Sequence, residues 1–332
     1  QDSLGQTSLS KVTFVAKGVV IYTLFFELIG VIILSTSFIP IYGFDRGLYY
    51  SIFYSISAFN NAGFSLFNNS LMNFHGHYLI CLTISMLYTL GGIGFLVLID
   101  IKQNKRWSKL TPNSKLILST IAILNVVAFI LIWLLEANNP LTLGAMSTGE
   151  QAMNAWFQAT VPRSSGFNTI DTGAMEHSTT LLTMLLMFIG GGSLSTAGGI
   201  KVGTFVILLL CVISFLRRNE EIRIFNHSIS QETTYKALAV AAITGMLIFV
   251  GCFTLFLLEP KQDVLDLMFE VVSAACTVGL SRGVTGELHD GSLFVLSLLM
   301  YTGRLGPLTL AYLIATPKKS RLKHANANIQ IG

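Results

Sequence analysis

Six long apolar segments constrain the fold of this chain more than any other feature of its sequence. Each is an uncharged or nearly uncharged run long enough to cross a bilayer, which takes about 20 residues. They are residues 18–39, 78–99, 116–135, 179–216, 237–258 and 292–315. Only 11% of the residues are charged, whereas a soluble domain usually carries about twice that fraction. The sequence therefore predicts an all-α integral membrane protein.

A shorter apolar stretch lies between the two long segments of each successive pair and leads into a glycine turn. These stretches are residues 48–60, 151–160 and 264–277, too short to span and typical of re-entrant helices. The turns that follow read NAGFSL, SSGFNT and TVGLSR, with Gly63, Gly166 and Gly279 at their centres. We therefore expect three tandem repeats of span, half-helix, glycine turn and span. Their boundaries are placed at residues 1–110, 111–225 and 226–332.

The distribution of basic residues orients the repeats. Most of the 21 lysines and arginines fall in the N-terminal tail, in residues 100–115 and 217–236, and in the tail after residue 315. The positive-inside rule makes these segments cytoplasmic. The half-helices then enter from the outside, and the repeats are parallel rather than inverted. The chain begins at Gln1 without a signal-peptide pattern, which we interpret as a fragment of a longer protein.

A glycine turn at membrane depth predicts a pore or a binding site. Backbone groups in the hydrocarbon region must be hydrogen-bonded, buried in protein or facing a watery cavity. The C-terminal end of a half-helix carries partial negative charge that favours a cation, and glycine permits torsions that turn successive carbonyls toward one axis. Rings of carbonyls replace the hydration shell of a cation. One such turn could equally be a plain loop, but three copies indicate a ring.

Five motifs resemble one known family. They are FNNAGFSL at residues 59–66, TVPRSSGFNTID at 160–171, STAGGIK at 195–201, CTVGLS at 276–281 and GRLGPLT at 303–309. Together they resemble the TrkH/TrkG/KtrB superfamily of microbial K⁺ transporters, and within it the KtrB membrane subunits of the Ktr uptake system. The resemblance implies parallel repeats around a pseudo-fourfold pore, of which this chain holds the second, third and fourth. The first repeat would be missing, so the chain alone should not conduct normally.

The resemblance also implies a selectivity filter built from four residues of each turn. These are Asn61, Ala62, Gly63 and Phe64; Ser164, Ser165, Gly166 and Phe167; and Thr277, Val278, Gly279 and Leu280. Only one glycine per turn is shared, and the residues beside it differ between the repeats. We therefore expect weaker discrimination of K⁺ from Na⁺ than the longer TVGYG filter of potassium channels gives.

Residues 179–216 are too long for one span and rich in glycine at their middle. Six glycines occur between Gly190 and Gly203, and each costs a helix about 1 kcal/mol relative to alanine. This predicts two half-helices joined by a loop, although a glycine-rich packing face is an alternative. Lys201 argues against that alternative, because a mid-span charge normally faces water or a partner. The resemblance implies a gate made of Gly191, Gly192, Ser195, Thr196, Ala197, Gly198, Gly199, Lys201 and Arg304.

Three isolated charges in apolar segments have alternative interpretations. Arg304 is the only charge in residues 292–315; it is either a snorkelled or paired structural arginine or part of the ion barrier beside the gate. Glu27 is alone in its span and could form a structural hydrogen bond or have a function. Glu270 lies seven residues before Thr277, where it could attract cations or hydrogen-bond to a neighbouring repeat.

Other functional classes fit less well. An intramembrane enzyme needs a general base within reach, but all six histidines lie outside the apolar spans. A phosphate-binding G-x-x-x-x-G-K-[ST] loop does not occur. A secondary transporter of a small solute, commonly built from inverted repeats, and a non-conducting assembly subunit remain as alternatives.

The family resemblance also implies ligands, partners and location. No cofactor is expected in this chain; K⁺ is the transported ion, and Na⁺ is a possible second one. The expected partners are a second copy in a homodimer, a KtrA-like cytoplasmic ring of nucleotide-binding subunits and membrane lipid, without nucleic acid. The expected location is the bacterial plasma membrane, with the glycine turns outside and the basic loops and C-terminus inside.

Overall fold

The computed structural model describes residues 2–163, 165–193, 195–218 and 221–306, and these residues are almost entirely helical. The described α-helices are α1 (Asp2–Tyr42), α2 (Phe44–Phe59), α3 (Tyr78–Ile93), α4 (Phe95–Asn104), α5 (Pro112–Glu136), α6 (Thr148–Thr160), α7 (His177–Phe188), α8 (Val202–Leu216), α9 (Gln231–Leu258), α10 (Val264–Ala275) and α11 (Asp290–Leu305). A hairpin of β1 (Arg223–Ile224) and β2 (His227–Ser228), paired antiparallel, connects α8 to α9. Short 3₁₀ turns occur at Met72–Phe74, Trp107–Lys109 and Val284–Glu287.

The helices follow one order three times. A long helix (α1, α5 or α9) is followed by a short helix (α2, α6 or α10), a glycine turn and a further helix (α3, α7 or α11). Each short helix packs against the long helix before it. This is the order that the glycine turns and apolar segments predict.

Three described helices are long and apolar enough to cross a membrane: Ala16–Tyr42, Pro112–Glu136 and Gln231–Leu258. The bent pair of α3 and α4 would make a fourth. The short helices α2, α6 and α10 contain 16, 13 and 12 residues. At a rise of about 1.5 Å per residue, none of them covers a hydrocarbon core about 30 Å thick. The prediction of a helical membrane protein with several apolar spans is confirmed.

The predicted span at residues 78–99 is not one straight helix, because the chain bends there by 91°. Helix α3 ends at Ile93 and α4 begins at Phe95. Gly94 between them has a φ of 108°, and a Cβ atom at this position would lie 2.4 Å from the carbonyl oxygen of Ser193. The loop before α8 therefore passes directly against the bend, where only glycine fits.

Residues 179–216 divide as predicted, with α7 ending at Phe188 and α8 beginning at Val202. We call residues 189–201 between them the central loop. Its base is closed by backbone hydrogen bonds from Gly190 N to Ile200 O (2.8 Å) and from Ile200 N to Phe188 O (3.2 Å). A folded-back loop rather than a helical packing face occupies this position. The last predicted span, residues 292–315, is described only to residue 306, where α11 has ended.

Two buried glutamates fasten the long helix of a repeat to the helix after its turn. Glu136, the last residue of α5, accepts a hydrogen bond from the backbone N–H of Glu176 at the start of α7 (2.9 Å). Glu259, just beyond α9, accepts one from the backbone N–H of His289 (2.8 Å) and one from the Ser292 hydroxyl (2.7 Å). These bonds hold the pKa of Glu259 below its usual value. Because carboxylates stabilise helix N-termini, each glutamate keeps its two helices in register.

Candidate ion pathway

The three predicted filter glycines lie close together. Gly63, Gly166 and Gly279 have φ angles of 71°, 74° and 88°, which glycine adopts without steric cost. A Cβ atom built on Gly63 would lie 2.9 Å from the Cα of Gly166, and one built on Gly166 would lie 3.5 Å from the Cα of Gly279. Turns more than one hundred residues apart in sequence are therefore in van der Waals contact.

In the contacts between the turns, the Cβ position of a glycine faces a carbonyl oxygen of the next turn along the chain. A Cβ atom on Gly63 would face the Ser165 carbonyl oxygen at 2.6 Å, and one on Gly166 would face the Val278 carbonyl oxygen at 2.9 Å. Gly279 has no such carbonyl within 4 Å of its Cβ position in the described residues. The arc is therefore open between Gly279 and the first turn. Ala62 and Phe64 border a mostly apolar groove of about 330 Å³ along α2.

The ends of two half-helices reverse the chain just before their glycine turns. After α2, Asn61 adopts a left-handed φ of 50°, and after α10 Thr277 adopts 53°. Backbone hydrogen bonds from Ala62 N to Ser57 O and from Val278 N to Ser273 O, both 2.9 Å, close the helix ends. This six-to-one bond after a left-handed residue is the Schellman arrangement. It reverses the chain immediately before each glycine. Ser164, at the corresponding place after α6, lies outside the described residues.

In two of the turns, a side chain nine residues before the glycine forms hydrogen bonds with residues that follow the glycine. Tyr54 Oη is 2.7 Å from Ser65 Oγ and accepts a hydrogen bond from the Leu66 N–H at 3.0 Å. At the same position before Gly279, Glu270 accepts hydrogen bonds from the hydroxyls of Ser281 and Thr285. The sequence analysis missed Tyr54, and the equal spacing of Tyr54 and Glu270 from their glycines is the signal that could have found this pair.

Of the two alternatives for Glu270, the hydrogen bond to a neighbouring repeat is not the one formed in the described residues, because its partners Ser281 and Thr285 belong to its own repeat. The Gly166 turn, which lies between the Gly63 and Gly279 turns in sequence, is supported differently. Phe157 takes the position of Glu270, and Asn168 instead bonds to the first repeat. The Asn168 carbonyl accepts from Leu71 N at 3.0 Å, and Asn168 N donates to Ser70 Oγ at 3.2 Å.

Arg282 joins the second and third repeats beside the turns. Its Nε lies 2.5 Å from Asp266 Oδ1 within the third repeat. Its Nη1 donates to the Thr172 carbonyl (2.9 Å) and to the Thr180 hydroxyl (2.7 Å), and its Nη2 donates to the Gly173 carbonyl (2.9 Å), all in the second repeat. The side chain is 8% exposed. Its charge is therefore neutralised by Asp266, and its N–H groups donate to three further acceptors in the second repeat.

The central loop lies against the C-terminal ends of the half-helices. Thr196 N donates to the Gly91 carbonyl at 3.3 Å, and the Thr196 hydroxyl donates to the Phe59 carbonyl at the end of α2 (3.4 Å). A Cβ atom on Gly198 would lie 1.8 Å from the Thr277 hydroxyl oxygen. The loop therefore contacts two of the three turns on the side that the helix ends face.

Two cations contact this loop. Lys201 Nζ donates to the Ala197 carbonyl at 2.6 Å, and Arg304 Nη1 donates to the Thr196 carbonyl at 2.9 Å. Both side chains line a cavity of about 410 Å³ that also borders Gly198 and Gly199. The described lining of this cavity contains no carboxylate. The predicted gate residues that the structure describes are thus brought together at one place.

The remaining predicted residues fall in different environments. Phe167 and Leu280 are buried in the core, whereas Phe64 is 70% exposed. Glu27 accepts a hydrogen bond from Asn60 Nδ2 at 2.6 Å, which ties the first long helix to the end of α2. This bond corresponds to the structural alternative for Glu27.

A sequence profile of the TrkH family, described as a cation transport protein, matches residues 1–118 and 106–323. The chain belongs to the TrkH family of cation transport proteins. This membership confirms the resemblance drawn from the glycine-turn motifs and the expectation of a transporter rather than an enzyme. With its apolar spans, this TrkH-family chain is a multi-pass membrane protein.

Individual relatives of this TrkH-family chain agree with the assignment. Ktr system potassium uptake protein B of Bacillus subtilis is 39% identical over 332 residues, which cover 100% of this chain and 74% of that protein. The protein of the same name from Vibrio alginolyticus is 37% identical, with 100% and 73% covered. The crystal structure of the potassium transporter TrkH from Vibrio parahaemolyticus matches 87% of this chain with a TM-score of 0.72 and 21% identity, which shows the same fold. This chain spans 62% of the length of that structure.

Proposed function

We propose that this chain takes part in K⁺ uptake across the cell membrane through a ring of backbone carbonyls. The convergence of Gly63, Gly166 and Gly279 is the observation that carries the proposal. Each half-helix points its partially negative end toward the glycines, and carbonyls near them can replace the water of a cation. The choice of K⁺ rests on the similarity to two potassium uptake proteins.

The twelve filter residues named above would form three sides of the ring. Residues 1–110, 111–225 and 226–332 would be three repeats at three of four positions around a pseudo-fourfold axis. The open arc supports this arrangement, because one further turn between Gly279 and Gly63 would continue the direction of the carbonyl contacts. The repeats would be parallel, with the turns outside and the basic loops inside.

The central loop would act as the gate of this pathway. It lies against the ends of α2 and α10, so a cation leaving the ring toward the basic side would meet it. Lys201 and Arg304 would raise the electrostatic barrier for a cation while the loop carbonyls share their charge. Movement of the loop would remove both the obstruction and the barrier.

The partners and the second ion are proposed from similarity. A Ktr system membrane subunit implies association with other Ktr components, and we propose a homodimer with a cytoplasmic ring of nucleotide-binding subunits in a bacterial plasma membrane. Na⁺ is proposed as a second ion, because one shared glycine per turn gives few equivalent carbonyl sites. The contacts between the turns favour this pathway over a solute site between inverted repeats.

Replacing Gly279 with serine in the full-length protein tests the proposal. Gly279 has a φ of 88°, so a side chain there strains the turn by about 1–2 kcal/mol and displaces its carbonyls. We expect K⁺ affinity in uptake assays to fall by about tenfold and the preference for K⁺ over Na⁺ to narrow. Unchanged affinity and preference would contradict the filter assignment. A parental protein that takes up a small organic solute in place of K⁺ would contradict the function.

A further inference from the structure

Arg163 places a fixed positive charge behind one of the three glycine turns. It lies three residues before Gly166 and is 8% exposed. The corresponding residues before Gly63 and Gly279 are the uncharged Asn60 and Cys276. A guanidinium group does not lose its proton in proteins. Of the three turns, the Gly166 turn is therefore the one that carries a buried cation at this position.

No described carboxylate neutralises this charge. Arg163 Nη2 donates a hydrogen bond to Asn125 Oδ1 on α5, and Nη1 has no hydrogen-bond partner in the described residues. Arg163 takes part in none of the ion pairs that those residues form. A cavity of about 10 Å³ borders the side chain between Tyr88, Thr160 and Gly191, enough for one water molecule. In the described residues the guanidinium thus has one neutral oxygen, Asn125 Oδ1, as its hydrogen-bond acceptor, beside a cavity that can hold one water molecule.

The other two turns have carboxylates behind them, and the one buried arginine beside the third turn, Arg282, is paired with Asp266. Behind the first turn, the Glu27 carboxylate accepts a hydrogen bond from Asn60. Behind the third turn, Glu270 supports Ser281 and Thr285. Arg163 instead lies just past the C-terminal end of α6, where a positive charge offsets the partial negative charge of the helix. The half-helix that leads to Gly166 therefore presents less negative potential to the axis than α2 and α10 do.

We propose that Arg163 sets the cation affinity of the ring by lowering it electrostatically. The inference rests on the proposed function and deepens it, because conduction requires binding weak enough for the ion to leave. A unit charge within about 10 Å of an ion, at an effective dielectric constant of about 20, changes binding on the order of tenfold. The effect is equal for K⁺ and Na⁺, since both carry one charge. Arg163 thus adjusts affinity, and the carbonyl geometry sets selectivity.

Two substitutions remove the uncompensated charge by different routes. Arg163→Gln deletes the guanidinium, whereas Asn125→Asp keeps Arg163 and places a carboxylate of nearly the same shape against it. We expect both variants of the full-length protein to bind K⁺ about tenfold more tightly, with an unchanged ratio of K⁺ to Na⁺ affinity. Binding is measured as the cation-dependent rise in Tm of the purified protein, alongside the KM for uptake.

The controls separate this role from a structural one. Arg46→Gln removes the same formal charge from an exposed position at the start of α2, where solvent and salt screen it, and should leave the affinity unchanged. A shift in Arg163→Gln alone, accompanied by a changed K⁺ to Na⁺ ratio, would overturn the proposal in favour of structural support of the turn. Parental affinity in both Arg163→Gln and Asn125→Asp would also overturn it. Lack of K⁺ uptake by the parental protein would contradict the proposed function, and the binding shifts would still decide the role of Arg163.

Discussion

Replacing Gly63 with alanine should weaken K⁺ affinity in uptake by at least about tenfold and reduce the preference for K⁺ over Na⁺. The new Cβ atom would lie 2.6 Å from the Ser165 carbonyl oxygen and 2.9 Å from the Cα of Gly166, so the first two turns must separate. A left-handed φ of 71° adds strain of about 1–2 kcal/mol. A loss of only about 1.4 kcal/mol in ion binding corresponds to a tenfold change.

Gly43→Ala is the matched control for this experiment. Gly43 has a similar φ of 81°, but a Cβ atom there would have no atom within 4 Å. It therefore reproduces the backbone strain at the start of α2 without touching the ring. We expect parental K⁺ affinity for Gly43→Ala in the same uptake assay. Equal losses in both variants would assign the effect to strain in general and not to the contact between the turns.

Replacing Arg282 with methionine should destabilise the protein by about 3 kcal/mol. A buried ion pair that loses one partner typically costs about 3–5 kcal/mol, and the 28% exposure of the Asp266 side chain places this pair at the lower end. The substitution also leaves the Thr172 and Gly173 carbonyls without their donors. Because these bonds join the second and third repeats, we expect a lower Tm in thermal unfolding of the purified protein.

The same substitution at Arg223 provides the comparison. Arg223 pairs with Glu221 at 3.1 Å, but the two side chains are 73% and 56% exposed. Exposed ion pairs contribute about 0–1 kcal/mol, so Arg223→Met should leave the Tm almost unchanged. A Tm for Arg282→Met as high as that of Arg223→Met would show that the inter-repeat bonds contribute little to stability.

Features local in sequence were predictable from the sequence. Apolar runs and short stretches ending at Gly63, Gly166 and Gly279 indicated the spans, the half-helices and the turns, because hydrophobicity and glycine act over a few residues. The bend at Gly94 was missed, since its flanking residues are as apolar as a straight span. The carbonyl of Ser193, about one hundred residues away, packs against this bend and leaves room there only for glycine.

The hydrogen bonds that support the turns and helices depend on which distant segments meet in the fold. The spacing of residues in the sequence does not show which segments meet. Nothing beside Arg163 indicates that Asn125, on another helix, accepts its hydrogen bond. Glu136 and Glu259 resemble ordinary charges at the ends of spans, yet each bonds to a helix that starts 30 to 40 residues later. The role of Glu270 stayed open in the sequence, because its partner Ser281 lies beyond the reversal at Thr277.

The most direct test is to locate a heavy alkali-like cation in crystals of the full-length protein. Tl⁺ or Rb⁺ replacing K⁺ would give an anomalous scattering peak wherever the dehydrated ion binds. The peak is expected on the axis between Gly63, Gly166 and Gly279, with backbone carbonyl oxygens of all three turns as ligands. A protein that takes up K⁺ but shows its peak elsewhere, or none between these turns, would contradict the carbonyl ring.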